Sequence, residues 1–561
     1  MSGTDGMDNT NHTDKPALPL QPRKRPVEPR KRAARPLKRV ARSAQPRERR
    51  ALPLLAIVLA LVGISVAANL IARAKPGSGL LRTQNNPSAA LAGAMPASVP
   101  PVAASSSWYC PGGGGTSGSA EGTPANESVI LVNTAAHAAR GVVTAVSSAG
   151  RAKSSLVLLP ALGTETLDPA HMVPGPYVAA SFSFATGGVT ATEEVSSPAG
   201  TTSTSCASST SNRWYFSDGS TAHGNRMLIG LYNPLGTDAV VNLTFATETG
   251  PSAPPHFQSI VIEARSLVVR DVGAFVQSRT QVATTVTALT GSVVADELQL
   301  RSGAPHPYMA ICLGSPLATS RWYFPVTVDG PGMTVGFHIF NPGTTASDVK
   351  VIVTLTRGSA EPFTISIPPT SQVIITASSE VRIPAGVAYS TKVSVLSGSA
   401  VVAQRSLLAT KPGGYSGFNV ETGSPGTART WLLAAEPLTF LTAELIGIEA
   451  TQSPAGSSST PRVPSASPGQ PATSVSVYQL VNGSWKPLRS LTNITLAGRV
   501  PLAVRMNSYP RWYEGPLLVV ASGPVVASQE LYQVGNPSMS ASIGIPLLGS
   551  PPSATAARYR R

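Results

Sequence analysis

The four-residue sequence RWYF occurs twice, at Arg213 to Phe216 and again 108 positions later at Arg321 to Phe324. Similar aromatic openings flank this pair, because WYC begins at Trp108 and RTWLL contains Trp431. The tryptophans Trp108, Trp214, Trp322 and Trp431 are therefore spaced by 106, 108 and 109 residues. This spacing is the size of a small domain. The chain is expected to contain four related units, each opened by a tryptophan.

Two further residue types, asparagine and glycine, recur at corresponding positions of the units. An asparagine separates two apolar segments in each of the first three units, at Asn133, Asn233 and Asn341. Later in every unit a glycine separates two more apolar segments, at Gly187, Gly291, Gly398 and Gly523. We expect these glycines to form two-residue hairpin turns, since such turns need positive φ angles that glycine adopts without steric cost.

The units have the composition and pattern of β-structure. Only 13% of the residues are charged, while 50 are glycine and 51 are proline. Alternating apolar residues with frequent turns, in units of this length, indicate antiparallel β-sandwiches. The predicted fold class is all-β, with four tandem immunoglobulin-like β-sandwiches in a row after one N-terminal transmembrane helix. The predicted domains are residues 108–213, 214–321, 322–430 and 431–550, with a disordered insertion at 453–474 and a C-terminal tail at 551–561.

The repeated tryptophans permit two interpretations. A large ring at a fixed register is typical of a core position, where it buries about 150–250 Å². A carbohydrate-stacking role is the alternative, and we favour core packing.

The N-terminal region predicts a membrane anchor. Residues 51–72 carry no charge and are long enough to cross a bilayer as a helix. Residues 1–50 are basic, interrupted by proline and expected to be disordered. Their positive charge predicts a signal anchor with the N-terminus in the cytoplasm and the bulk of the chain extracytoplasmic. A cleaved signal peptide is the alternative. Residues 73–107, rich in Ala, Pro and Ser, read as a stalk.

The net charge of +15 does not predict a nucleic-acid partner. Residues 1–50 contain 14 Lys and Arg against 5 Asp and Glu, a net of +9 that leaves +6 for the other 511 residues. This tail either contacts anionic headgroups or only sets the orientation.

No catalytic, metal-binding or cofactor-binding residue is predicted. The seven histidines are scattered without metal-ligand spacing. Gly113, Gly115 and Gly118 fit a dinucleotide-binding pattern, but the sequence after them reads as a loop, so a flexible insertion is expected. Acidic residues in SDGS (Ser217 to Ser220) and VDG (Val328 to Gly330) are too few for calcium loops and favour turns.

The three cysteines lie beyond the predicted anchor, where disulfides persist. Cys110 and Cys206 lie near the beginning and end of the first unit, so we expect them to form a disulfide and Cys312 to stay free. Three buried thiols are the alternative.

The basic tail, the single anchor, the WYC opening and the repeated RWYF units with NPG turns resemble an actinobacterial family of membrane-anchored envelope proteins, domain of unknown function 5719. The resemblance covers roughly Trp108 to the C-terminus. It implies an extracytoplasmic location and supplies no catalytic residues. The sequence thus predicts a binding or scaffolding protein of the bacterial cell envelope, whose partners are cell-wall glycan or envelope proteins. The loops at 111–126 and 453–474 are the expected binding elements. A glycan-modifying enzyme with acidic residues in an inter-domain cleft is the alternative function.

Overall fold

The structure is a computed structural model that describes residues 91–115, 126–303, 307–330, 332–410, 414–433, 443–451, 472–496, 500–509 and 515–549. The predicted basic tail (1–50) and anchor (51–72) lie outside these residues, as do residues 73–90 of the predicted stalk, residues 453–471 of the predicted insertion and the tail at 551–561. Within the described part of the chain, no helix combines the length and hydrophobicity that a membrane span requires.

The described chain is almost entirely β-strand, arranged in several antiparallel sheets. We group the strands into four repeats, each containing one of the four tryptophans. The first repeat contains β1 (Ser106–Cys110), β2 (Asn126–Asn133), β3 (Ala139–Ser147), β4 (Ala152–Leu159), β5 (Gly163–Leu167), the short helix α1 (Pro169–Met172), β6 (Val178–Phe184), β7 (Val189–Ser197) and β8 (Gly200–Ser205). The second repeat contains β9 (Arg213–Phe216), β10 (Arg226–Asn233), β11 (Ala239–Thr247), β12 (Gly250–Ser252), β13 (Ile260–Ile262), β14 (Ser266–Asp271), β15 (Val282–Thr290), β16 (Val294–Arg301) and β17 (Tyr308–Leu313).

The third and fourth repeats complete the chain. The third contains β18 (Arg321–Val328), β19 (Met333–Asn341), β20 (Ser347–Leu355), β21 (Phe363–Ile367), β22 (Ser371–Thr376), β23 (Ala388–Ser397), β24 (Val402–Thr410) and β25 (Ser416–Thr422). The fourth contains β26 (Ala428–Leu433), β27 (Ala443–Ala450), β28 (Thr473–Val481), β29 (Ser484–Pro487), β30 (Ile494–Leu496), β31 (Leu502–Arg505), β32 (Leu517–Tyr532), β33 (Met539–Ile543) and β34 (Ile545–Pro546).

The first three repeats share one sheet arrangement. Each has two sheets, with orders β1-β6-β3-β4 and β5-β2-β7-β8 in the first repeat and β18-β23-β20-β21 and β22-β19-β24-β25 in the third. The second repeat has β12-β11-β15-β9, with β13 beside β11, and β14-β10-β16-β17. Apolar side chains from both sheets of a repeat meet in its core.

Each tryptophan lies in the core of its repeat, and all four are at most 2% exposed. The indole N–H groups donate hydrogen bonds to backbone carbonyls at one place in every repeat: Trp108 to Val189, Trp214 to Val293, Trp322 to Val401 and Trp431 to Val525, at 2.8 to 3.0 Å. The ring therefore fills the core, and its one polar atom fixes the chain where it passes from one sheet to the next.

The three asparagines connect sheets in the same way. The side chain of Asn233 is buried, its amide nitrogen donates to the carbonyls of Thr237, Ile262 and Glu263, and its oxygen accepts from the N–H of Leu235. Asn133 and Asn341 make corresponding sets of bonds. Each side chain satisfies backbone groups that would otherwise be buried without a partner as the chain crosses between sheets.

The glycine turns differ from the sequence expectation in kind. The strands on the two sides of each glycine belong to different sheets in the first three repeats, such as β6 and β7, so the predicted hairpins are wrong and the turns are corners between sheets. Gly291 and Gly398 do adopt positive φ angles of 72° and 85°, but in the first repeat the residue with positive φ is Gly188, at 78°, rather than Gly187. Both kinds of reversal need a glycine, and only tertiary packing decides which sheet receives the second strand.

Gly523 forms no turn, because β32 continues through it for 16 residues. The first half of β32 pairs with β26 and β28, and the second half pairs with β27 and β33. Pro524 follows directly, and a residue before proline is held in extended conformations. The fourth repeat therefore has one nine-stranded sheet where the first three repeats have two sheets.

The repeats close into a ring rather than extending as the predicted row. One inner strand from each repeat, β8, β17, β25 or β33, lies at the centre, and each contacts the next, with β33 returning to β8. Ser203 on β8 hydrogen-bonds Ser540 on β33, which joins the first repeat to the last. Thr83 to Arg561 accordingly form one compact unit.

The described end of the predicted stalk is packed onto this ring. Leu91 is 1% exposed and lies in the core of the fourth repeat. Ser98 exchanges backbone hydrogen bonds with the C-terminal segment, accepting from Leu548 and donating to Pro546. Apolar residues in this Ala- and Pro-rich segment give it a surface to bury, so it bridges the first and fourth repeats instead of extending as a stalk.

Candidate functional site

The predicted cysteine pair lies inside the first repeat. Cys110 and Cys206 form a disulfide, and Cys312 is free and buried. The Glu193 carboxylate lies within 4.8 Å of both disulfide sulfurs, and no other group of three His, Cys, Asp or Glu residues in the described chain is as closely gathered. Because both sulfurs are bonded to each other, this group offers a metal ion only one carboxylate.

The glycine-rich segment after Cys110 is packed, which corrects the expectation of a flexible insertion for its described part. Residues 111–115 are buried, and Gly112 has a φ angle of 89°. A Cβ atom on Gly112 would come within 1.7 Å of the Val178 carbonyl oxygen, so only glycine fits. Gly118 and the rest of the predicted binding loop, residues 116–125, lie outside the described residues.

Three carboxyl groups are buried where the first and second repeats meet. Glu127 and Glu193 belong to the first repeat and Asp296 to the second, and each is at most 1% exposed. Burial raises the pKa of Glu127 and of Glu193 well above the ordinary value, and repulsion by neighbouring carboxylates adds to it. Burial also raises the pKa of Asp296 to about 8. Burial therefore favours the protonated form of all three groups.

A charged cluster joins the second and third repeats. Arg301 donates to Asp218 at 3.0 Å, and the imidazole of His338 lies 3.3 Å from the same carboxylate. Burial lowers the pKa of His338, so the imidazole is neutral near pH 7 and Arg301 supplies the positive charge. Although burial opposes it, these partners hold the pKa of Asp218 below its ordinary value. SDGS is thus a turn, as expected, but its aspartate has an interface role that the sequence analysis did not assign.

A second charged cluster joins the third and fourth repeats, and we call it the arginine cluster. Arg405 is fully buried, and its guanidinium lies 2.7 Å from Glu421 of its own repeat and 2.7 Å from Glu530 of the fourth. The Tyr532 hydroxyl donates to Glu530. Burial raises the pKa of Glu421 to about 7 despite the arginine. This network fixes the relative positions of the two repeats.

A cavity of about 280 Å³ lies beside the arginine cluster, also between the third and fourth repeats. The third repeat contributes Val328, Met333 and Tyr415, and the fourth contributes Glu444, Leu445, Arg505, Tyr532 and Val534. The rings of Tyr415 and Tyr532 are 5.1 Å apart, with an interplanar angle of 42°. Glu444 and Arg505 are the charged residues among the described residues that line it. An apolar cavity with a few polar groups, at a junction between units, is typical of small-molecule sites.

Glu444 contributes to the wall of this cavity, and its buried carboxyl group is incompletely bonded. Its side chain is 2% exposed, and its Oε1 atom accepts a hydrogen bond from the Gln529 amide at 2.5 Å. Its Oε2 atom is buried without a hydrogen-bond partner. Burial raises the pKa of Glu444 to about 8. Leu445 pairs with Arg505 and Ala443 pairs with Tyr532, so the Glu444 side chain lies on the other face of the sheet from these cavity residues.

A smaller cavity of about 60 Å³ lies at one end of the central strands. Residues of β8, β17, β25 and β33 line it, and Ala94, Met95 and Pro96 of the N-terminal segment border it. Its volume fits one or two water molecules, at roughly 30 Å³ each. It is therefore a poor candidate for a ligand site.

The comparisons with known proteins give one family. The model of a family of unknown function (DUF5719) matches residues 178–300, which run from β6 to β16. No curated protein matches the chain. The matched residues include Cys206, Trp214, Asn233 and Gly291, so they carry the repeat markers but no residue of the 280 Å³ cavity.

The repeat markers and the cavity are separate features of the molecule. The tryptophans, asparagines and turn glycines predicted from sequence build the repeats, and none of them lines the cavity. The sequence analysis singled out neither Glu444 nor Arg405. One signal was available: Glu193, Glu297, Arg405 and Gln529 stand six or seven positions after the marker glycines, as polar residues within otherwise apolar strands. All four are buried, and Glu193 and Arg405 face charged groups of a neighbouring repeat.

Proposed function

We propose that the chain is an extracytoplasmic binding protein of the bacterial cell envelope, held at the membrane by residues 51–72, and that its ligand site is the cavity between the third and fourth repeats. The observation that carries this proposal is the 280 Å³ cavity itself, which lies at a junction of two repeats and is lined by aliphatic side chains and by the rings of Tyr415 and Tyr532. A mainly apolar cavity of this kind, at a junction between units, is typical of small-molecule sites.

The finer architecture belongs to the same proposal. We take each repeat to be an immunoglobulin-like sandwich, and the fourth to be a variant in which two strands have fused into β32. The shared sheet orders of the first three repeats support this view. The family match supports the suggested family of unknown function for residues 178–300, and the envelope location is proposed from the sequence of the N-terminal region.

Cell-wall glycan fragments and envelope proteins are the proposed partners. The cavity accommodates a small ligand or a single residue of a larger one, whereas the ring presents a rigid surface for scaffolding. The clusters of buried charge between repeats support rigidity, because rearranging the repeats would separate paired charges in a medium of low dielectric constant.

A glycan-modifying enzyme is the second candidate, and it would need a general acid in the cavity. Burial raises the pKa of Glu444 to about 8, but its side chain lies on the other face of the sheet from Arg505 and Tyr532. Glycoside hydrolysis ordinarily needs a second carboxyl group. The nearby Glu530 is already bonded to Tyr532 and Arg405 and does not line the cavity. Binding is therefore the better supported function.

The test uses the full-length chain in detergent and purified wall fragments, with binding measured by calorimetry. Val534→Trp should fill the cavity and abolish binding, because Val534 is half exposed on its wall. Val381→Trp is the matched control, since Val381 is 98% exposed and does not line the cavity. Equal binding by both variants would contradict the assignment of the site. Turnover of a wall glycan that Glu444→Gln abolishes would support the enzyme instead.

Exposure of the folded part outside the cell is tested separately. Protease added to intact spheroplasts should digest the chain after residue 73 and spare residues 1–50. A mature chain that begins after residue 72 would show a cleaved signal peptide and rule out the anchor.

A further inference from the structure

A hydroxyl group, an imidazole and a carboxylate lie in a row where the second and third repeats meet. The hydroxyl oxygen of Ser406 on β24 lies 2.8 Å from Nε2 of His338 on β19. The other ring nitrogen, Nδ1, lies 3.3 Å from Oδ1 of Asp218 in the second repeat. This distance is slightly longer than an ordinary hydrogen bond, and catalytic hydrogen bonds are often long before a substrate binds. The order serine, histidine, carboxylate is the arrangement that activates a serine hydroxyl in hydrolases of unrelated folds.

The protonation states in this row favour transfer of a proton from the serine. Although burial opposes it, the pKa of Asp218 is held below its ordinary value by His338 and by Arg301, which donates to it at 3.0 Å. An ionised carboxylate only accepts hydrogen bonds, so the imidazole presents the N–H of Nδ1 to it. Burial lowers the pKa of His338, so the ring is neutral near pH 7. Its Nε2 atom therefore accepts from the Ser406 hydroxyl, as a general base must.

The two strands leave space around the serine hydroxyl. Gly336 on β19 pairs with Ser406, and strand alternation puts Gly336, His338 and Ser406 on one face of the sheet. A Cβ atom on Gly336 would come within 2.8 Å of both His338 Nε2 and Ser406 Oγ, so a larger residue would displace the pair. His338 and Asp218 are only 7% and 2% exposed, whereas Ser406 is partly exposed. The hydroxyl is thus the member of the row that a molecule from solvent can reach.

The surroundings of Ser406 suit an apolar group beside a developing negative charge. Leu408 follows two positions later on the same face, is partly exposed, and packs against Phe418 and Val420. The guanidinium of Arg301 lies 5.0 Å from the centre of the Phe418 ring, and its Nε atom is buried without a hydrogen-bond partner in the described chain. A cationic donor of this kind stabilises the negative charge that develops on a carbonyl oxygen under attack.

The geometry points to Ser406 as a nucleophile, with His338 as its general base, that acts on carboxylic esters with an apolar acyl group. The Ser406 oxygen forms a bond to the ester carbonyl carbon, and its proton moves to His338 Nε2. The bond between that carbon and the leaving alcohol oxygen then breaks, and His338 gives the proton to the departing oxygen. Water, deprotonated by His338, attacks the acylated serine in the same way, which releases the carboxylic acid and restores the hydroxyl. Asp218 is a positioning residue, because it holds the Nδ1 proton and does not touch the reacting atoms.

A fluorophosphonate tests this inference on the full-length chain in detergent, because it loses fluoride when an activated serine oxygen attacks its phosphorus. Mass spectrometry should locate the adduct on Ser406 in the folded chain and find none after reaction in denaturant. This arm uses the unaltered chain and so does not depend on the folding of any variant.

Hydrolysis of p-nitrophenyl butyrate tests the second half of the cycle. Ser406→Ala should reduce the release of p-nitrophenol to the rate in buffer, and His338→Gln should slow both hydrolysis and labelling by about 100-fold or more. Asp218→Asn keeps an acceptor for Arg301 and should lower kcat with little change in KM, a split that a merely structural role would not produce.

His137→Gln is the matched control. Nε2 of His137 also lies 3.0 Å from a hydroxyl, that of Thr186, but this hydroxyl donates to the Pro101 carbonyl at 3.0 Å. Thr186 should therefore carry no adduct, and both rates should be unchanged in His137→Gln. The inference is overturned if Ser406 carries no adduct in the folded chain. It is also overturned if His338→Gln, shown to be folded by its tryptophan fluorescence, reacts as fast as the unaltered chain.

Discussion

Replacing Arg405 by methionine tests whether the arginine cluster holds the third and fourth repeats together. Arg405 donates to the Val326 carbonyl and the Thr327 hydroxyl, and it lies 2.7 Å from both Glu421 and Glu530. Methionine fills part of the space but supplies no charge. Two buried carboxyl groups then face each other without a counter-ion, and protonation is their remaining way to avoid a buried negative charge.

The expected loss of stability follows from the cost of keeping a proton on one of these two buried carboxyl groups. Near pH 7.5, about 3 pH units above the ordinary glutamate pKa of 4.5, keeping one proton on a buried carboxyl costs about 4 kcal/mol relative to the unfolded chain. This agrees with the roughly 3–5 kcal/mol measured when one partner of a buried pair is removed. Near pH 5 the same proton costs about 0.7 kcal/mol. The loss of stability should therefore shrink several-fold in mild acid.

The assay is denaturant unfolding of the full-length chain at both pH values, followed by the fluorescence of the buried tryptophans. Arg382→Met is the control, because Arg382 pairs with Glu380 at the surface, at 3.4 Å, and should contribute less than about 1 kcal/mol. A loss below about 1 kcal/mol in Arg405→Met, or a loss that is equal near pH 5 and pH 7.5, would refute the reasoning.

Three other predictions concern the repeats and the pH dependence of stability. Replacing Cys110 and Cys206 by serine opens a loop with a sequence separation of 96 and should lower the free energy of unfolding by about 4–5 kcal/mol. Non-reducing peptide mapping of the native chain should recover the two cysteines as a disulfide-linked pair. Asn233→Ala leaves one buried and two partly buried carbonyls without their donor and should cost about 2–3 kcal/mol in denaturant unfolding, whereas Asn242→Ala, which loses one surface bond, should cost less than about 1 kcal/mol. Burial raises the pKa of Glu444 to about 8, so the proton that Glu444 binds in the folded chain contributes fully to stability below about pH 4.5, and this contribution is lost as the pH rises to 8. The melting temperature should therefore fall between these two pH values, and it should fall less steeply in Glu444→Gln.

The sequence predicted the class of structure because periodic features report local geometry. Alternation along strands, together with Trp, Asn and Gly at a fixed spacing, was enough to indicate β-structure in repeated units. The predicted pairing of Cys110 with Cys206 used the same register. The family match over residues 178–300 agrees with the suggested family for that segment only.

The arrangement of the units required information that no local pattern holds. A glycine at a chain reversal gives the same sequence pattern whether the next strand joins the same sheet or another sheet. The corners at Gly291 and Gly398 were therefore predicted as hairpins. The extended conformation at Gly523 depends on Pro524, a neighbour whose effect was overlooked. The cavity could not be found because Tyr415 and Glu444 come from different repeats, and contacts between repeats depend on the ring.

Closure of the ring has a consequence for how the chain reaches its native state. Ser203 and Ser540 are 337 positions apart, so the last contact waits for almost the entire chain to be available. An open array of repeats can nucleate anywhere and grow outward, and it tolerates the loss of a terminal unit. In this molecule, β8 lacks one neighbour until β33 arrives, and contacts of such long sequence separation form slowly. During synthesis the first repeat must therefore persist with an exposed inner strand, and a chain shortened by one repeat would leave that strand without its partner.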